Sequence, residues 1–361
     1  MRISLSWLIS LVLLGTWYVP PRIFAERILF NPQQKAQLQQ VETIFVKAVA
    51  LTEKGLVDPT LIERAAADRL TATGFTVITA ESKPHDVVLK VRCDERKPWA
   101  GIRKSDGEVQ QSGAPSRNWK GPACRLSYFF DGQKGPWQYE VRTTFDNAWE
   151  AAKAGGYDDA GQFALQHLGQ ALRESNFPLD LAAEWKQAER LSSFLTGPKT
   201  DKATKFKILS LAGHVPGDTM LQALQQIRTE ADFAAPATVA LGFMGEPAIP
   251  TLLDLLSDPS VDIQAAAAEA LGEIGAHSGN VGILPPLLAM MQAPDIHLRV
   301  QTEIVRAIGK MPDFQSVEPL QQLALKAWTD RSNDPLMQEL REAVDWSLWQ
   351  INPTAHTEAG Y

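Results

Sequence analysis

Ile263-Gln264-Ala265-Ala266-Ala267-Ala268-Glu269-Ala270-Leu271-Gly272-Glu273-Ile274-Gly275 is the stretch that decides the fold of this 361-residue chain. Ala, Leu, Gln and Glu are strong helix formers. The small residues leave a helix bare enough for another to approach closely. The same pattern returns in Ile208 to Gly213, Thr238 to Gly242, Arg306 to Gly309 and Trp346 to Ile351. Aligned on positions 213, 242, 272, 309 and 349, the copies stand 29, 30, 37 and 40 residues apart. A period in that range, with two helical patterns per unit, predicts a stack of helical hairpins in which no unit buries its apolar face alone.

The alignment extends beyond the Gly. Eight residues before it stand Lys205, Ala234, Gln264, Gln301 and Arg341. A second helix is expected to start near Pro250, Pro285-Pro286 and Pro319, and new units near Asp258-Pro259, Pro294-Asp295 and Asp334-Pro335. There an acidic side chain and the fixed proline φ favour a helix start. These residues resemble HEAT repeats, in particular the short type named after the phycobilisome lyases, whose first helix reads Val-Arg-x-x-Ala-Ala-x-Ala-Leu-Gly-x-Ile-Gly. The resemblance covers about 150 residues and implies an all-α superhelical solenoid that holds a partner, with the second helices on its concave side. Gln264 and Gln301 replace the family's Arg, and Trp349 in place of Gly marks a terminal unit. The type's name also brings an alternative, a lyase-like enzyme.

Outward from the repeats, the amino-terminal part predicts an α+β domain, with helices on a mainly antiparallel four-stranded sheet. Gln33 to Lys54 has helical apolar spacing, and Asp58-Pro59 opens a second helix through Leu70. Phe75 to Thr79, Asp86 to Cys93, Cys124 to Phe130 and Trp137 to Phe145 have strand composition, the last two joined by a hairpin loop over Asp131 to Gly135. Helical spacing resumes over Asn147 to Arg173, with a pause at Gly155-Gly156, and Phe177 to Pro198 makes a bridging helix. The expected division is a signal peptide or uncleaved anchor over 1–25, the α+β domain with its bridging helix over 26–198, the repeats over 199–352 and a disordered tail over 353–361.

Arg2 followed by an apolar run from Ile3 to Val19, with cleavage after Ala25, is the pattern of an export signal. Export to a periplasmic or cell-envelope location is therefore expected, with a membrane anchor through Ile3 to Val19 as the alternative. Cys93 and Cys124 are the only cysteines, and an exported chain is expected to bridge them. Between them, Glu95 to Gly121 carries Arg96, Trp99, Arg103 and Trp119, a loop that offers charge and stacking to an anionic or sugar polymer.

Formal charge is -7, and residues 202–361 hold 10 Lys and Arg against 19 Asp and Glu. An acidic repeat region repels phosphate backbones, so another protein is the expected partner and nucleic acid is not. No paired-Cys metal site, His-Glu-x-x-His or phosphate-binding Gly-rich loop occurs, and the six His are scattered. The reading is a non-catalytic, exported protein-binding scaffold with no catalytic residue, metal or cofactor.

Overall fold

Thr43 to Thr52 forms a strand at the centre of a sheet, which corrects the helix expected over Gln33 to Lys54. The computed structural model describes residues 30–95, 121–330 and 332–353. Helix α1 (Pro32–Leu38) is short, with Asn31 and Gln34 exchanging capping hydrogen bonds, and it stops at Gln39. Strand β1 (Thr43–Thr52) follows. Ile44, Val46, Ala48 and Ala50 line one face of β1, and Phe45, Lys47, Val49 and Leu51 the other. Apolar residues on both faces blurred the alternation that marks a strand. Pairing on both edges, which settled the conformation, is a tertiary fact.

Six strands occur among the described residues, where four were expected. β2 (Gly55–Val57), β3 (Thr76–Ile78), β4 (Val87–Asp94), β5 (Ala123–Phe130) and β6 (Gln133–Arg142) join β1 in the order β2-β1-β4-β5-β6, with β3 on the outer edge of β1. Antiparallel pairing joins β1 to β2, β4 to β5 and β5 to β6. β1 instead runs parallel to β3 and to β4. Helix α2 (Thr60–Ala72) makes the crossover that a parallel pair requires. The β5–β6 turn is tighter than the five residues expected. Asp131 and Gly132 alone close it, at φ 49° and 73°, the left-handed pair that matches strand twist.

Cys93 and Cys124 face each other across β4 and β5, buried and disulfide-bonded. The bridge closes a loop of 31 residues. In the chain-entropy account such a closure contributes about 3 to 4 kcal/mol. The Cys93→Ala, Cys124→Ala double variant is expected to lose roughly that much stability. Urea unfolding followed by circular dichroism measures it, and an unchanged midpoint would show that strand pairing already restricts the loop.

Among the described residues only one face of the sheet is covered. Val46, Leu89 and Tyr128 in one row, and Ala48, Val91 and Leu126 in the next, pack under α2, α4 (Ala160–Glu174) and α5 (Phe177–Glu184). Helix α3 (Ala148–Ala154) lies against α4. The bridging stretch is two helices, not one. α5 stops at Trp185, Lys186 takes φ 59°, and α6 (Ala188–Thr196) begins after Gln187. Gln187, nearly fully buried, donates to the carbonyls of Leu38 and Val41, and Arg190 donates to those of Thr73 and Val41. The start of α6 thereby fastens the ends of α1 and α2 to the helices that follow.

From α7 (Lys202–Leu211) onward the chain is all helical: α8 (Asp218–Ile227), α9 (Ala234–Leu241), α10 (Ile249–Leu255), α11 (Val261–Ser278), α12 (Leu284–Met291), α13 (Leu298–Lys310), α14 (Val317–Thr329) and α15 (Pro335–Ile351). Pro250, Pro285 and Pro319 stand in the first turns of α10, α12 and α14, as expected. Asp334 caps α15 as expected, while the caps of α11 and α13 fall later, at Ser260 and His297. Among the described residues no helix is long and apolar enough to cross a membrane. The expected signal or anchor and the tail from 354 lie outside the described residues.

Candidate functional site

The surface with the most regular construction is the row of first helices, α7, α9, α11, α13 and α15, which lie side by side in that order. Each second helix, α8, α10, α12 or α14, packs against the first helix that follows it. α5 and α6 continue the two rows backwards, α5 against α7 and α6 against α8. The hairpin that covers the sheet is thus also a neighbour of the repeats.

Glycine sets the spacing within the first row. A Cβ on Gly242 would stand 3.0 Å from Ala270 Cα, and one on Gly272 would stand 2.7 Å from Ala307 Cα. At Gly309 it would meet Ser347 Oγ at 2.4 Å. Backbone cannot yield at Gly242 and Gly272, so helices this close require Gly there, while at Gly309 the neighbours are the Ser347 and Trp346 side chains. The positions aligned in the sequence at 242, 272 and 309 are therefore contacts between consecutive units. Ser347 adds a hydrogen bond to the Val305 carbonyl at 2.8 Å.

The position eight residues before the Gly also has a common task. Gln301 Nε2 donates to the Met291 carbonyl at 2.8 Å, and Arg341 Nε donates to the Ala327 carbonyl at 2.9 Å. Both satisfy carbonyls at the end of the preceding second helix, groups that a helix leaves without a partner of its own.

Charge crosses between units along this row. Lys207 on α7 pairs with Asp180 on α5 at 2.9 Å, Lys310 on α13 with Glu273 on α11 at 2.5 Å, and Arg299 with Asp262. Arg306 pairs with Glu303 within α13 at 2.5 Å. Among these groups Glu269 is half-buried. Burial first and the nearby Glu303 second push its carboxyl above the usual range, while Lys310 and Arg306 hold it down in part. A carboxyl raised in the folded state takes up a proton on folding, so stability falls as pH rises from its unfolded value of 4.5 through the folded one. Glu269→Gln is expected to raise the melting temperature at pH 7 and to lose that advantage as pH drops toward 4.5. Thermal melts across that interval check it, and an equal gain at every pH would contradict it.

A second surface was not legible in the sequence. The uncovered face of the sheet carries Lys47 and Lys90 in one row, Arg92, Arg125 and Glu140 in the next, then Asp94 and Arg142. Lys90 Nζ lies 3.7 Å from the Phe129 ring centroid. Asp94 is almost wholly buried and accepts from Arg92 at 3.1 Å and Arg125 at 3.2 Å. Reading β1 as a helix had separated Lys47 from these neighbours. An open cleft of about 710 Å³ lies at the end of the sheet beside His85, Asp86 and Phe130. Burial works against the Asp86 carboxylate there, but hydrogen bonds from Thr43 and Glu42 hold its pKa below the usual range. It fastens β1 to the start of β4.

Of the residues singled out in the sequence, Cys93 and Cys124 come together as a disulfide. Arg96, Trp99, Arg103 and Trp119 lie outside the described residues. Glu95, the last described residue before them, accepts from the Glu53 amide at 2.9 Å. Among the described residues no group of three His, Cys, Asp or Glu side chains is placed to hold a metal ion.

None of the curated proteins matches this chain. Residues 217–279 and 249–334 match the family described as HEAT repeats. Those spans run from the start of α8 to the end of the α14–α15 turn, the region whose glycines space the helix row. The carboxy-terminal part of this chain is a HEAT-like repeat region.

Proposed function

We propose that the protein is a non-catalytic scaffold of an exported compartment, which holds a partner protein on a superhelical stack of HEAT-like repeats. The expected contact surface was the side of the second helices; the single observation that carries the reading lies instead on the row of first helices. It brings Phe243, half-exposed, and the charged groups Glu273, Arg306 and Lys310 onto successive units at a spacing fixed by backbone contact. A rigid, repeated surface is pre-organised for a large partner, because little side-chain or loop ordering remains to be lost on association. The Cys93–Cys124 bridge supports an oxidising compartment, where such bonds persist. The acidic balance of the repeats favours a partner with a basic face, steered by charge and slowed by salt.

Site-specific photo-crosslinking from Phe243, Glu273 and Lys310 in the full chain, with Lys90 and Gln138 on the sheet as controls, tests it. The expected result is one discrete protein adduct from the repeat positions. Adducts from the sheet positions alone would make the sheet and its loop the site, and turnover of a small molecule by the purified protein would end the scaffold reading.

A further inference from the structure

The first-helix row stops at α15, and its last face is not built like the others. Ala265, Ala268 and Gly272 on α11 turn toward α13, and Thr302, Val305 and Gly309 on α13 occupy the matching places toward α15. All six are buried. On α15 the same places hold Glu342, Asp345 and Trp349, the last 54% exposed. Trp349 forbids another helix at the glycine spacing. A cap that served only solubility would be polar throughout. Here the indole of Trp349 stays in water, with Trp346 40% exposed beside it.

Off that last face, on the side toward α13, Trp346, Ala343, Glu342, Arg306 and Lys310 line a cleft of about 340 Å³. Glu342 and Asp345 have no ion-pair partner among the described residues, and Glu342 accepts only from Gln338, one turn earlier on the same stripe. Arg341 is committed to the Ala327 and Asp330 carbonyls, and Arg306 and Lys310 to Glu303 and Glu273.

We infer that the outward face of α15 is a docking surface for a cationic amphipathic helix of another protein, which lies on the side where a next first helix would follow, at the wider spacing that Trp349 imposes. The row itself supplies the geometry, since every earlier first helix is covered by one in that position. The unpaired carboxylates supply the sign of charge, and Trp349 the apolar contact, a residue type that dominates interface energies. A second copy of this chain would set Glu342 and Asp345 against their own equivalents, which like-charge repulsion disfavours. The inference rests on the scaffold reading and narrows it to one end of the stack.

The test uses the full chain and a fluorescein-labelled synthetic helix of Leu and Lys, with Leu on one face, titrated at low salt and followed by anisotropy. A matched helix with Glu in place of Lys is the control. Trp349→Ser and the pair Glu342→Lys, Asp345→Lys are each expected to raise Kd about tenfold or more. Trp149→Ser, which removes an equally exposed indole on α3, is expected to leave Kd unchanged. These sites are exposed, so melting temperatures of the variants should match the parent and exclude loss by misfolding. Equal binding of both helices, unchanged Kd in the α15 variants, or an equal loss in Trp149→Ser would overturn the inference. Dimerisation that Trp349→Ser abolishes, seen in sedimentation without peptide, would overturn it in favour of a second copy. Crosslinks from Phe243 and Glu273 that survive Trp349→Ser would sink this inference alone and leave the scaffold reading standing.

Discussion

Leu271→Asp is expected to unfold the repeats while the sheet and the hairpin above it stay folded. Leu271 lies in the middle of α11 with no exposed surface, between the Gly242–Ala270 contact on one side and the Gly272–Ala307 contact on the other. A carboxylate there has neither water nor a cation, and burying it unpaired costs several kcal/mol. Each unit of the row is stabilised chiefly by its neighbours, so the loss spreads to α9 and α13. The sheet does not touch α11. Hydrogen exchange should show amides of α9 to α13 losing protection, while those of β1, β4 and β5 keep it. Full protection of α11 in the variant would mean that the register assigned to these helices is wrong.

Trp185→Ala should produce the opposite pattern. Trp185 sits where α5 ends and α6 has yet to begin, 1% exposed, its ring edge-on to Phe75 at 5.9 Å and to Tyr128 at 5.3 Å. Truncating a buried Trp to Ala costs about 3 to 5 kcal/mol. The cavity would open between the sheet and the hairpin that covers it, next to Gln187 and Arg190, whose hydrogen bonds fix the α1–β1 and α2–β3 turns. Urea unfolding should shift to lower concentration, and exchange should rise in β4, β5 and α6 while α13 remains protected. If α13 loses protection equally, the sheet and all the repeats unfold as one unit, and the hairpin couples them more tightly than neighbour-to-neighbour contact implies.

The repeats were readable because their signal is local and iterated. Ala and Gly recur at positions 242, 270, 272, 307 and 309, where Gly242 meets Ala270, Gly272 meets Ala307, and Gly309 meets Ser347 in the next helix. A stack in which every unit touches only its neighbours writes its contacts into the sequence at a short period. The task of Gln301 was less visible. It stands where the repeat family has Arg, and only the position of the Met291 carbonyl shows that an amide can also satisfy the end of a helix.

The sheet was readable in part. β4 and β5 alternate, with Leu89 and Val91 inward and Lys90 and Arg92 outward, and they were found with boundaries off by a residue. β1 lies between β4 and the two short strands β2 and β3, but Phe45, Val49 and Leu51 put apolar residues on its open face too, and its periodicity could be read as helical. The cationic face that Lys47, Lys90, Arg92 and Arg125 form together depends on strand register, which brings residues far apart in sequence to one row.

By itself, then, the sequence determined the helical repeats and their phase, since these follow from local helix propensity and from the small residues that close packing requires. Only the tertiary structure decided the conformation of residues 43–52, the division of the bridging stretch at Lys186 and the pairing of Cys93 with Cys124 across two strands. It also decided which face of α15 has no neighbouring helix among the described residues. These depend on which partners a segment meets across the core, and a β-pairing or a vacant helix face has no energy until both sides are in place.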